Sequence, residues 1–147
     1  MLSGVTDTKV LGYLGRALSL ELSAVQMYST QSRLVANWGL DKVAGRLRDE
    51  AREETEHAER IIAQMLFLGV APGASQLRAV KLGPDLPSLL RINQAFEMEL
   101  VELYRNAVNY CRLNSLQQEK VFFASLLAEE EQHAVGLKSW LNEIEAE

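Results

Sequence analysis

Two copies of one glutamate–histidine pattern occur in this chain with the same internal spacing. Glu21 precedes the segment Glu54-Thr-Glu-His57, and Glu97 precedes Glu130-Glu-Gln-His133 by the same interval along the chain. The chain has two histidines, and each is the last residue of a Glu-x-x-His motif. Two such motifs, each with a further glutamate on a preceding helix, form the ligand set with which a helical bundle holds two metal ions.

The bulk composition favours one globular domain and argues against several classes of function. The chain has 147 residues, of which 48% are apolar and 24% charged, so we expect residues 1–147 to fold as a single domain with a sizeable core. The net charge of -5, without a basic stripe, argues against nucleic acid as a partner. The single cysteine, Cys111, excludes an internal disulfide and a paired-thiol metal site.

We identify no targeting sequence and no membrane span. Residues 1–11 lack the basic and then apolar arrangement of a signal peptide. The longest nearly apolar stretch, residues 61–71, contains Gln64 and is too short to cross a bilayer. We therefore expect a cytoplasmic protein with no membrane partner.

The spacing of the apolar residues predicts an all-α protein with four long helices. Apolar positions recur at helical spacing over long stretches, and no convincing run shows the two-residue alternation of a half-buried strand. We place the helices at about residues 8–36, 41–68, 87–112 and 115–144, and we expect Ser115-Leu-Gln-Gln118 to open the last one as a capping box. All three prolines lie within residues 72–87, which marks residues 69–86 as one long connection.

The short links predict two helical hairpins, and the long connection can join them end to end. The turn at residues 37–40 and the link at residues 113–115 make each pair of helices antiparallel. The long connection has about 17 residues and reaches ~55 Å at ~3.3 Å per residue, which exceeds the ~42 Å length of a helix of ~28 residues. A four-helix bundle with a single long crossover is therefore the predicted topology.

The candidate ligands fall on the apolar faces of their helices. Alternating steps of three and four residues trace these faces, which on the third helix also carry Tyr104 and Cys111. Each charged glutamate in a core would cost several kcal/mol if it were left unpaired. Four carboxylates carry -4 and two divalent cations carry +4, so two metal ions balance the cluster while two neutral imidazoles complete the coordination. The predicted metal ligands are Glu21, Glu54, His57, Glu97, Glu130 and His133.

Two questions stay open at the level of residue types. Tyr28 lies two turns beyond Glu21 on the same face, either as a core aromatic or as a hydrogen-bond donor to a metal-bound carboxylate. The donor set itself accepts iron, manganese or zinc.

Several segments, together with these residues, resemble the bacterioferritin family. The resemblance extends over about residues 5–145 and implies a ferritin-like bundle with two Fe ions per subunit, a di-iron centre that oxidises Fe(II) with O2 or H2O2 for iron storage and detoxification. The segments that carry it are Asp7-Thr-Lys-Val-Leu-Gly-Tyr-Leu, Asn37-Trp-Gly-Leu40, His57-Ala-Glu-Arg-Ile-Ile-Ala-Gln-Met-Leu-Phe-Leu68 and Ala128-Glu-Glu-Glu-Gln-His133.

The same resemblance implies a role for each site residue. Glu54 and Glu130 would bridge the two irons. Glu21 and His57 would complete one iron, while Glu97 and His133 would complete the other. Tyr28 matches the family's tyrosine beside the centre, so it joins these six as a candidate catalytic residue.

The chain departs from the family pattern at three places. The family's haem ligand is a methionine one residue after the bridging glutamate of the second helix, and Thr55 stands there instead. A hydroxyl is a poor axial ligand beside a thioether, so we expect no haem in a homodimer of this chain. We also expect no fifth helix, because the sequence continues past His133 only to Glu147. Asp49 replaces an inner-surface histidine and would serve as a weak oxygen ligand.

The resemblance implies a homo-oligomer built from dimers. A 24-subunit shell and a mixed shell with a haem-binding sister subunit are the larger assemblies to consider. Two alternative functions remain beside the ferroxidase: a ferritin-like di-iron peroxidase or oxygenase, and a non-catalytic metal-binding subunit of a mixed shell.

Overall fold

The computed structural model describes residues 6–73 and 75–146, and these residues form four helices and no strand. The helices are α1 (Thr8–Asn37), α2 (Asp41–Phe67), α3 (Leu86–Leu113) and α4 (Gln117–Glu145). The all-α prediction is confirmed, and the observed helix ends lie within two residues of the predicted ones. Residues 1–5, 74 and 147 of the predicted domain lie outside the described residues. Within the described ranges, no helix combines the length and the apolar character that a bilayer crossing requires.

Helices α1 and α2 form the first of two compact units, a hairpin that continues through Leu82. Close to the turn, the Ser32 hydroxyl donates to the carbonyl of Ala44 at 2.7 Å. Farther along, Glu21 of α1 contacts His57 of α2. Ser32, late in α1, contacts Ala44 near the start of α2, whereas Glu21, earlier in α1, contacts His57 later in α2. The two helices are therefore antiparallel.

The segment after α2 is held against α1 by two serines. The backbone N–H of Gln76 donates to Ser19 Oγ at 3.1 Å, and that of Arg78 donates to Ser23 Oγ at 3.0 Å. The two acceptors are one helical turn apart, and the two donors are alternate residues of an extended chain. The segment therefore runs along α1 in the same direction as α1, back toward the turn that joins α1 to α2.

Helices α3 and α4 form the second unit, which begins at Gly83. An ion pair joins Arg91, near the start of α3, to Glu145 at the end of α4. A second ion pair joins Arg105 to Glu131 at 3.3 Å, again with the later α3 residue meeting the earlier α4 residue. These helices are therefore antiparallel too, as predicted.

The turns of the two hairpins have the same backbone design at equivalent positions. Gly39 has φ 83° and Ser115 has φ 56°, so both lie in the left-handed region. The next residue, Leu40 or Leu116, donates its N–H to the carbonyl five positions back, at 3.0 Å in the first turn and 2.9 Å in the second. This pattern ends a helix and satisfies its last carbonyls.

The predicted capping box at Ser115 is wrong. Leu116 occupies the N-cap position of α4, with no side-chain hydrogen bond to the helix. The left-handed conformation of Ser115 ends α3, and this geometry removes the residue from the position where it could cap α4.

The other two helices begin at aspartates. Asp7 accepts hydrogen bonds from two backbone N–H groups of α1, at 2.9 and 3.0 Å. Asp85 accepts from the hydroxyl of Ser88 at 2.6 Å and from its backbone N–H at 2.9 Å, and these hydrogen bonds lower the pKa of the Asp85 carboxyl. Pro87 lies in the first turn of α3, where its missing N–H costs no helical hydrogen bond.

Candidate metal centre

The first hairpin brings Glu21, Glu54 and His57 together, and we call this group the first half-site. Helix α1 supplies Glu21, while α2 supplies the other two residues from one helical turn. One potential ligand atom of each residue lies within 4.8 Å of the others. Nδ1 of His57 is 3.2 Å from Glu21 Oε2 and 3.2 Å from Glu54 Oε1. The imidazole therefore faces both carboxylates at once.

The second hairpin brings Glu97, Glu130 and His133 together in the same way, and we call this group the second half-site. Helix α3 supplies Glu97, and α4 supplies Glu130 and His133. Their potential ligand atoms also lie within 4.8 Å of one another. Nδ1 of His133 is 3.5 Å from Glu130 Oε2. The structure thus divides the six predicted ligands into two groups of the same composition.

Burial distinguishes the two half-sites at their histidines. All four glutamates have no exposed surface. The side chain of His57 is 2% exposed, whereas that of His133 is 13% exposed. The first half-site is therefore closed to water, and the second is open at its histidine.

The donor set of each half-site suits one divalent cation. Two ionised carboxylates carry -2, which one such cation balances, and a neutral imidazole adds a nitrogen ligand. Carboxylate oxygen with imidazole nitrogen is a combination that Fe(II), Mn(II) and Zn(II) accept. A bound cation would also offset the cost of burying these carboxylates.

A tyrosine accompanies each half-site on its own helix. Tyr28 lies seven residues after Glu21 on α1, Tyr104 lies seven residues after Glu97 on α3, and both are fully buried. Apolar spacing predicts a core position for Tyr104 and indicates no further role. The shared seven-residue spacing from a half-site glutamate was the signal that could have identified it.

Asp49 and Thr55, the two other positions of interest on α2, lie at the surface. Asp49 pairs with Arg52 at 2.8 Å, and both side chains are exposed. The hydroxyl of Thr55 donates to the carbonyl of Ala51, one turn back in its own helix, at 2.8 Å. Neither residue belongs to a half-site.

Comparisons with known proteins place this arrangement in a family. The model of the ferritin-like domain matches residues 11–146. A bacterioferritin of Rhodobacter capsulatus is 36% identical over 136 residues, which are 92% of this chain and 84% of that relative. A bacterial ferritin of Synechocystis is 33% identical over 137 residues, with 92% and 88% of the two chains covered.

A solved structure gives the same result at the level of the fold. The bacterioferritin of Rhodobacter capsulatus, solved with a metal-free dinuclear site and with its haem iron in a crystallographic special position, matches with a TM-score of 0.92 and 34% identity. The match covers 99% of this chain and 89% of that chain, and it confirms the predicted four-helix bundle. The chain therefore belongs to the bacterioferritin family.

Proposed function

We propose that this protein is a ferroxidase of the bacterioferritin type, in which the six half-site residues bind two Fe(II) ions per subunit and O2 or H2O2 oxidises them to Fe(III). The observation that carries the proposal is the repeated half-site, in which two buried carboxylates and one imidazole lie within 4.8 Å of one another. Family membership selects iron among the metals that this donor set accepts. The residues are Glu21, Glu54, His57, Glu97, Glu130 and His133.

The chemistry of the ligands favours oxidation of the bound iron. Carboxylate oxygens are hard donors, and they stabilise Fe(III) more than Fe(II). All four carboxylates are buried away from bulk water, which strengthens the attraction between each cation and its carboxylates. By the family resemblance, Glu54 and Glu130 would be the carboxylates that hold both irons. Tyr28, fully buried and on the Glu21 face of α1, completes the proposed catalytic set.

The substitution Glu54→Ala tests the proposal directly. Anaerobic Fe(II) titration of the apo protein should give two tightly bound ions per subunit, and admission of O2 should then produce rapid oxidation. Glu54→Ala should lose most of this binding and oxidation because it removes a fully buried carboxylate from the first half-site. Glu59→Ala, an exposed glutamate on the same helix, is the matched control and should behave as wild type.

Two outcomes would contradict the ferroxidase. One is a wild-type oxidation rate no faster than that of Glu54→Ala. The other is tight iron binding without oxygen-dependent oxidation, which would support the non-catalytic metal-binding subunit instead. A much faster reaction with H2O2 than with O2, coupled to oxidation of an organic substrate, would favour the peroxidase.

We also propose that a homodimer of this chain binds no haem. The solved Rhodobacter capsulatus relative contains haem iron. Thr55 is poorly suited to be an axial haem ligand, because its hydroxyl oxygen is a hard ligand for iron. The hydroxyl also donates a hydrogen bond to the carbonyl of Ala51 in its own helix. Thr55→Met should introduce haem binding, seen as a Soret band after incubation with haemin. Haem bound equally by wild type and Thr55→Met would contradict this reading.

The proposed role in iron storage requires assembly into a homo-oligomer. Large apolar side chains at the surface support association, among them the adjacent Leu66 and Phe67, which are 60% and 48% exposed. Size-exclusion chromatography and electron microscopy should show a hollow shell that fills with iron. A dimer that oxidises Fe(II) but retains no mineral would restrict the function to detoxification.

A further inference from the structure

Tyr104 repeats in the second hairpin the placement of Tyr28 in the first. Each half-site consists of a glutamate on one helix and a Glu-x-x-His motif on the next, and each tyrosine follows the first glutamate by seven residues. The offset between the two copies is the same for every member of the pattern. The first copy is Glu21, Tyr28, Glu54 and His57, and the second is Glu97, Tyr104, Glu130 and His133.

Helix geometry places Tyr104 on the same face as Glu97. Seven residues advance a helix by ~10.5 Å and leave the two side chains only ~20° apart around the axis. Side chains on a helix lean toward its N-terminus, so the ring of Tyr104 leans toward the turn that carries Glu97. The ring also packs on Phe123 of α4, with 6.4 Å between centroids, and Phe123 lies seven residues before Glu130. Tyr104 therefore contacts both helices that supply the second half-site.

Packing alone does not account for a tyrosine at this position. Tyr104 is fully buried, and its neighbour Phe123 is 1% exposed. A phenylalanine would supply the same ring without a hydroxyl that must be removed from water on folding. Full burial also shields an oxidised phenol from reductants in solution, which is what an electron donor requires.

Resting on the proposed ferroxidase function, we propose that Tyr104 donates one electron to oxygen during iron oxidation, and that Tyr28, the equivalent residue of the first hairpin, donates a second. Reduction of O2 to water takes four electrons, and two Fe(II) ions supply two. Two Fe(II), two phenols, one O2 and two solvent protons give two Fe(III), two neutral tyrosyl radicals and two waters. Each phenol loses its O–H hydrogen as one electron and one proton. A later Fe(II) ion returns one electron to each radical, and a solvent proton restores the O–H bond.

The test compares Tyr28→Phe, Tyr104→Phe and the double variant, all of which keep the ring and remove the hydroxyl. Anaerobic protein loaded with two Fe(II) per subunit is mixed with O2, and the H2O2 released is measured. Wild type should release little, each single variant an intermediate amount, and the double variant about one H2O2 for every two Fe(II). Tyr110→Phe is the control on α3, at a half-buried tyrosine outside the repeated pattern, and should match wild type.

Two measurements other than the H2O2 yield detect the radicals directly. Freeze-quenched Tyr28→Phe should retain a tyrosyl signal in electron paramagnetic resonance that the double variant lacks. In wild type, which needs no folded variant, the freeze-quenched tyrosyl signal should integrate to about two radicals for each O2 reduced, as the balanced reaction requires.

Each negative outcome has a distinct meaning. If Tyr28→Phe and the double variant give the same H2O2 yield and the same radical signal, or if wild type forms no more than one radical for each O2 reduced, the role of Tyr104 is overturned. Rapid iron oxidation in the same samples would leave the ferroxidase intact. A wild-type rate no faster than that of Glu54→Ala would overturn both proposals.

Discussion

The two hairpins carry the same residues at the same spacing, yet they place them in different surroundings. The first half-site encloses His57 between two carboxylates, each 3.2 Å from Nδ1, with the side chain 2% exposed. The second leaves His133 at 3.5 Å from Glu130 and 13% exposed. A repeated motif therefore fixes which ligands are available, while the neighbouring residues decide how far water reaches them.

The two turns likewise share one backbone geometry but differ in the residue that adopts it. Both adopt the left-handed conformation shortly after the first helix of the hairpin ends. Glycine meets this requirement in the first hairpin, whereas Ser115 meets it in the second despite its Cβ. Left-handed backbone costs an ordinary residue ~1–2 kcal/mol, so the second turn stores strain that the first does not.

Removing each histidine should give the largest difference between the two half-sites. His57→Ala should weaken Fe(II) binding at the first half-site by about 100-fold, or ~2.7 kcal/mol, because no water can replace the buried imidazole. His133→Ala should cost only about 10-fold, or ~1.4 kcal/mol, because water reaches the open position and can serve as the ligand. Anaerobic Fe(II) titration of both variants, fitted with two classes of site, gives the two affinities.

The two histidine variants act as controls for each other, since they remove the same group from the same motif. Circular dichroism of the apo proteins checks that both remain helical. Equal losses of affinity, or a larger loss in His133→Ala, would show that the difference in exposure has no consequence for binding.

Exchanging the turn residues should give a smaller difference between the two hairpins, seen in the free energy of unfolding. Gly39→Ser should destabilise the fold by ~1 kcal/mol, and Ser115→Gly should stabilise it by ~0.5–1 kcal/mol. A Cβ at Gly39 would meet no atom within 4 Å, so the first change reports on the backbone alone. Urea unfolding of the apo protein measures both. Stabilisation by both substitutions, or by neither, would argue against strain at Ser115.

The start of α3 should give the smallest effect, with a distinct dependence on pH. The Ser88 hydroxyl and then its backbone N–H lower the pKa of Asp85 relative to the unfolded chain. A lowered carboxyl pKa stabilises the fold above the unfolded value of 3.8, and this stabilisation is lost as the pH falls through the folded value. Asp85→Ala should therefore lower the Tm slightly at pH 6, and the difference from wild type should shrink below about pH 4. A Tm difference between Asp85→Ala and wild type that stays constant from pH 6 to pH 3 would contradict the lowered pKa of Asp85.

The four helices were predictable because their signals are local. Apolar periodicity sets each helical core face, Pro87 marks the start of α3, and Gly39 marks the first turn. The capping box at Ser115 failed because serine is typical of a helix start. In this turn the same residue ends the preceding helix with a left-handed backbone.

The site was predictable in composition and not in environment. The doubled Glu-x-x-His motif identified the six candidate ligands, and the structure groups them into two half-sites. Nothing in the motif distinguishes His57 from His133, because exposure depends on side chains distant in sequence. The hydrogen bonds from Gln76 and Arg78 to α1 were equally hidden, since they join residues 57 and 55 positions apart through backbone groups.

The anchoring of the long connection has a consequence for biosynthesis. The residues that hold the connection along α1 all precede α3 in the chain, so they leave the ribosome before α3 does. They are Ser19, Ser23, Gln76 and Arg78. At roughly 5–20 residues per second, the later helices follow within several seconds. Translation order therefore allows the first hairpin and its anchored connection to form before α3 is complete.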